Sequence, residues 1–221
     1  MDTEDHLLVS KAVAQAESGT DGEIVTIVSQ LSDDYRETAY VGAGIAAIVT
    51  LATFVLFPGF YTSLFNRVSG AWNHQFSLGE YALFAGSAAI FTGMAIWLLL
   101  HWPALRLLLT LPHVKKAAVH GRAIDLFRVG TERRTTGRTG ILIYLSMQEH
   151  RAEIVADAAI TAKISGEVWG DAMLALVAHL RAGKAGAGMA EAVRQVGIVM
   201  TEHFPKSHDD HNELPDRLIE L

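Results

Sequence analysis

The sequence predicts an α/β protein, a small α/β/α sandwich with a mixed sheet, interrupted by a two-helix transmembrane hairpin. Three observations carry that expectation. Two uncharged stretches in the middle of the chain are each long enough to cross a bilayer. Short β-branched or apolar runs lie on both sides of them, at Glu23–Leu31, Ile141–Ser146 and Arg151–Ala159. Segments with apolar residues at helical spacing fill the rest.

The composition agrees with a protein that is part membrane and part soluble. Half of the 221 residues are apolar and 19% are charged, against roughly 25% in ordinary soluble domains. From Ala39 to Leu105 the only ionised side chains are Arg67 and Glu80, which cancel. The net charge of −6 therefore belongs to the flanking parts. An acidic balance excludes nucleic acid as a partner class, because phosphate backbones need clustered Lys and Arg. It also gives no general reason for strong attraction to anionic headgroups. The chain has no cysteine, which excludes disulfides, thiolate catalysis and Cys-based zinc sites. Met1 to His6 is acidic and polar, unlike the basic start of a signal peptide, so none is expected.

Taken in order, Asp5–Ser18 reads as a short helix with Leu8, Val13 and Ala16 as apolar positions, and "GTDG" (19–22) as a turn. "EIVTIVSQL" (23–31) is the first strand. The first span, Ala39–Phe60, would cover roughly 33 Å as a helix, with Pro58 and Gly59 ending it. The second span begins at Tyr81 and runs to about residue 102. Tyr61, Trp72, Tyr81, Trp97 and Trp102 fall at or near the ends, where amphipathic rings settle at the bilayer surface. Gly42, Gly44, Ala46 and Ala47 in one span, and Gly86, Ala88, Ala89 and Gly93 in the other, allow close approach of helix backbones. That suits self-association or a membrane-protein partner. No charge lies mid-span, so an ion path is not expected. The connecting loop holds only Arg67, whereas Lys11, Arg36, Arg106, Lys115, Lys116 and Arg122 flank the outer ends. The positive-inside rule places both termini in the cytoplasm, with the lipid bilayer of a cell inner membrane as the obligate partner.

Beyond the spans, a helix is expected from about Lys115 to Thr131, on Val119, Ala123, Ile124 and Phe127. "ILIYLS" (141–146) is a continuous apolar run, the mark of a strand covered on both faces. After "MQEH" comes a third strand over 151–159, making a hairpin. Helices follow over Val168–Ala182, with Gly183 as its C-cap, and over Met189–His203, stopped by Pro205. The chain thus divides into 1–38, the first part of the α/β domain; 39–105, the membrane hairpin; 106–204, the rest of the domain; and 205–221, a polar tail. Strand 1 cannot form a sheet alone, so the hairpin is an insertion in the crossover that makes strands 1 and 2 parallel.

Several stretches together resemble the TPM domain, the family of thylakoid-lumen, photosystem-repair and acetylcholine-receptor-modulator proteins. They are "GEIVTIVSQLSDDY" (22–35), "RTGILIYLSMQEHRAEIVADAAI" (138–160), Trp169 after "KISGEV", "GMAEAVRQVG" (188–197) and "FP…NELPD" (204–216). The resemblance implies an α/β/α sandwich and a family reported, in different branches, to have acid phosphatase activity, to bind calcium, or to assemble and repair membrane complexes. The chain departs from the commoner plan of an exported domain with a terminal anchor, since its spans are internal.

Chemistry has two candidate places, at opposite ends of the sheet. At one, Asp33, Asp34, Glu149 and His150 form a candidate set for calcium or another divalent cation, which takes oxygen ligands; the alternative is an ordinary solvated turn. At the other, Asp157 with Arg138 is a candidate catalytic pair for phosphoryl chemistry, near Asp21 and Glu23. A carboxylate among the apolar residues of "EIVADAAI" rises in pKa unless donors or a cation offset its burial. The alternative is that Asp157 hydrogen-bonds a loop or caps a helix. "HFPKSHDDH" is a further metal candidate or a solvated tail, and His179 reads as a packed histidine. No Ser-His-Asp arrangement or nucleotide fingerprint is visible. The leading expectation is an interaction module at the membrane, and its rival a phosphatase or divalent-metal-dependent phosphohydrolase.

Overall fold

A computed structural model describes residues 1–70, 74–130, 139–207 and 216–221. The chain forms two compact units, one of Met1–Asp33 with Pro112–Leu221 and one of Asp34–Leu111.

In the first unit, α1 (Thr3–Glu17) starts at Asp2, whose side chain caps the Asp5 amide in a reciprocal capping box. Strand β1 (Glu23–Ser29) pairs parallel with β2 (Gly140–Ser146), in register from Glu23 opposite Gly140 to Ser29 opposite Ser146. Strand β3 (Arg151–Ala156) runs antiparallel to β2. A fourth strand, β4 (Ile219–Glu220), adds parallel to the other edge of β1, so the order is β3-β2-β1-β4. The polar tail therefore ends as an edge strand of the sheet. Leu218 is buried and the Leu221 amide donates to the Val28 carbonyl at 2.9 Å, which is what draws so short a strand into register.

Helices cover both faces. Alternation along the strands sends Ile24, Val28, Ile141, Ile143 and Leu145 to one side, under α1, α8 (Gly170–Arg181) and α9 (Ala185–His203). Val25, Ile27, Leu142 and Tyr144 go to the other, under Val119, Ala123 and Phe127 of α6 (Pro112–Gly130). This is the expected α/β/α sandwich. Small residues let α9 approach α1 closely: a Cβ on Gly197 of α9 would lie 2.6 Å from the Ala16 Cβ of α1. Gly183 follows α8 with φ +73°, the left-handed conformation its position demands.

In the second unit, α2 (Arg36–Leu56) and α4 (Leu78–Leu99) are long and apolar enough to cross a membrane, and most of their surface is exposed. Both begin a turn earlier than the uncharged runs suggest, because their first turns carry polar residues: Arg36 and Glu37 in α2, and Glu80 in α4, where Ser77 and Glu80 form a capping box. Pro58 does end the first span, and it also starts a helix: α3 (Pro58–Ser69) occupies much of the expected loop. Helix α5 (Pro103–Leu109) follows α4. Of the small residues, Gly93 meets Ala43 and Ala47, where a Cβ would come 3.3 Å from the Ala43 carbonyl. Gly42 faces Leu100, whereas Gly44 and Gly86 face open space. The far end is knitted by aromatics, with Phe54 stacked on Tyr61 at 3.7 Å and the Tyr81 hydroxyl donating to the Phe54 carbonyl at 2.7 Å.

Candidate functional site

At the carboxyl end of β1, the β2–β3 turn is tied to the chain that leaves β1. The Met147 and Gln148 amides donate to the Ser29 and Gln30 carbonyls at 3.0 and 3.1 Å. Glu149 is buried in that turn. One of its carboxylate oxygens accepts the Ser32 amide at 2.8 Å and the other accepts the Ser146 hydroxyl. The Ser32 and Tyr144 hydroxyls lie 2.9 Å apart. Glu149 is thus a brace: both oxygens serve internal donors. Asp33 and Asp34 are exposed, Asp34 facing the Arg36 guanidinium at 3.0 Å. His150 is exposed in the left-handed conformation, its Nδ1 3.2 Å from the Gln148 carbonyl. Among the described residues no group of three His, Asp or Glu side chains is placed to hold a metal ion.

At the opposite end, Asp157 is 6% exposed and stands between β3 and the single turn α7 (Ala158–Thr161). It clamps the start of β2: its Oδ2 accepts the Gly140 amide at 3.1 Å and its own amide donates to the Gly140 carbonyl at 2.9 Å. Its carbonyl accepts the Ile160 and Thr161 amides, both at 3.0 Å. Asp157 therefore ties the end of β3 to the start of β2. Arg138, its expected partner, lies outside the described residues, as do His208, Asp209, Asp210 and His211 of the tail. The His179 ring contacts the Ala175 carbonyl within its own helix at 2.8 Å.

The sharper feature at this end is Glu17, which the sequence reading passed over. It closes α1, is 8% exposed, and accepts the Ile24 amide on one oxygen at 2.7 Å. The other oxygen is sealed from solvent and, among the described residues, receives no amide or hydroxyl. Burial pushes its carboxyl up to about 8; the Ile24 amide opposes this, and the Glu23 and Asp216 carboxylates reinforce it. Protonated Glu17 can donate to Asp216. Glu23 is itself buried. The chain after α9 seals the site: Thr20 donates to the Phe204 carbonyl at 2.6 Å, the Ser207 amide donates to Asp21 at 2.6 Å, and Lys206 Nζ donates to the Glu17 carbonyl at 3.1 Å. A signal for Glu17 was available, since Val9, Val13 and Glu17 recur every four residues and so share the buried face of α1.

This arrangement can hold a proton near neutral pH on Glu17 and two further carboxylates around it. No family model matches the chain, and no curated protein matches it. Among solved structures, the NMR structure of the BA42 protein from the psychrophilic bacterium Bizionia argentinensis superposes with a TM-score of 0.56 at 15% identity, covering 100% of this chain and 95% of that one. At this identity the likeness shows the fold, and with it the α/β class read from the sequence.

Proposed function

We propose that this chain is an integral membrane protein whose TPM-like α/β domain acts as an interaction module, in assembly or quality control of membrane complexes, at the cytoplasmic face of an inner membrane. One observation carries the reading. Two long, apolar, largely exposed helices leave and re-enter the chain inside the β1–α6–β2 crossover of an α/β sandwich. Two crossings return the chain to the side it left, which the pairing of β1 with β2 requires, and the flanking cations favour the cytoplasm as that side. The TPM resemblance rests on the residues quoted above, and the solved likeness supports the sandwich. The geometry of Asp157, committed to the Gly140 amide, supports a structural role for it.

The test pairs crosslinking with an activity assay. Crosslinking of the full-length protein in native membranes is expected to trap a discrete membrane-protein partner or a second copy of this chain. Purified full-length protein is expected to turn over a generic phosphomonoester no faster than Asp157→Asn, with or without calcium. Turnover that disappears in Asp157→Asn while the fold persists would replace this reading with the phosphohydrolase.

A further inference from the structure

Within the hairpin unit, the start of α2, the end of α4 and α5 enclose a cleft of about 400 Å³. Its lining includes Arg36 and Tyr40 from α2, Trp97 from α4, His101 beyond it and Arg106 from α5, with Asp34 at the rim. The Thr38 and Thr110 hydroxyls, 3.0 Å apart, pin α2 to the chain just after α5. Asp34 pairs with Arg36 at 3.0 Å and so uses its one negative charge there. The half-buried Arg106 has no ion-pair partner among the described residues. The Trp97 and His101 rings lie tilted against each other, centroids 5.5 Å apart, while Tyr40 and Trp102 stand exposed.

We propose that this cleft binds the phosphate of an anionic phospholipid headgroup. The inference rests on the membrane reading of α2 and α4. Where α2 enters and α4 leaves is one bilayer surface, and Tyr and Trp rings prefer that depth. A guanidinium is suited to a phosphate through paired N–H donors. A lipid phosphate sits at the same depth, its acyl chains running beside the apolar helix faces, whereas a soluble anion gains nothing from those faces. The net charge of −6 conceals the site, because the average is taken over acidic segments elsewhere.

The experiment uses full-length protein in detergent micelles, with native mass spectrometry of bound phosphatidylglycerol, phosphatidylcholine and inorganic phosphate. Wild type and the surface control Arg181→Gln should retain phosphatidylglycerol over phosphatidylcholine. Arg106→Gln should retain it about fivefold less, the effect of one cation near a membrane surface. Arg36→Gln with His101→Gln should act in the same direction, guarding against a folding defect peculiar to position 106. Equal retention by the glutamine variants, or no preference between the two lipids, overturns the proposal. Displacement of the lipid by millimolar inorganic phosphate overturns the lipid as occupant. Washing membranes at alkaline pH separates the two readings: release of the protein sinks both, while retention in the pellet without lipid preference sinks this one alone.

Discussion

The buried carboxyl of Glu17 makes a pH dependence of stability that can be worked through. In the unfolded chain this group titrates near 4.5, and in the folded domain near 8. A raised carboxyl pKa means the folded state binds the proton more tightly. Its contribution is full below pH 4.5 and is lost as pH rises towards 8, after which both states are ionised. The slope over that window is about 1.4 kcal/mol per pH unit. The ceiling is on the order of 4 kcal/mol over the whole interval, because Glu17 is nearly sealed from solvent. Glu17→Gln keeps an oxygen to accept the Ile24 amide and supplies N–H donors towards Asp216, so it should fold and remove the titration. The assay is thermal unfolding of the α/β unit in detergent at a series of pH values. Wild type should lose roughly 10 °C of melting temperature between pH 5 and pH 8.5 relative to Glu17→Gln. Parallel curves for the two proteins would refute the reasoning, since Glu17 would then titrate as an ordinary surface acid.

Other substitutions test the packing and the brace. Glu149→Ala leaves the half-buried Ser32 amide and the buried Ser146 hydroxyl without this acceptor and should destabilise the domain by about 1–3 kcal/mol in denaturant titration; Glu149→Gln should recover part of that. Gly197→Val forces a side chain against Ala16 and should cost at least about 1–3 kcal/mol by the same measurement. In the hairpin, Gly93→Leu pushes on the Ala43 carbonyl and should loosen α2 from α4, read as faster proteolysis or a lower melting point of the detergent-solubilised protein.

What could be read beforehand follows from how local each signal is. Period-3.6 and period-2 patterns are local, so α6, α8, α9 and the β2–β3 hairpin were visible, as were the two apolar spans. The pairing of β1 with β2 was reachable too, because a strand cannot form a sheet alone and the other strand-like runs lie beyond the spans. The fourth strand was not, since two residues carry no period and β4 exists only because β1 offers an edge. Glu17 shows the same limit at a site. Its α-helical spacing placed it on the core face, yet only the folded chain brings Glu23 and Asp216 to it from 6 and 199 residues away. Glu149 shows the converse. Composition alone marks it as a turn carboxylate, and only the folded turn brings the Ser32 amide and the Ser146 hydroxyl to its two oxygens.

The central claim is that one α/β domain is split by a membrane hairpin whose connection faces outward. The cysteine-free sequence lets single cysteines report on it directly. Ser69→Cys lies exposed at the end of α3, and Ser18→Cys lies exposed after α1. A membrane-impermeant maleimide applied to intact spheroplasts should label position 69 and leave position 18 untouched until the membrane is broken. Labelling of position 18 in sealed cells, or of position 69 only after lysis, would contradict the account.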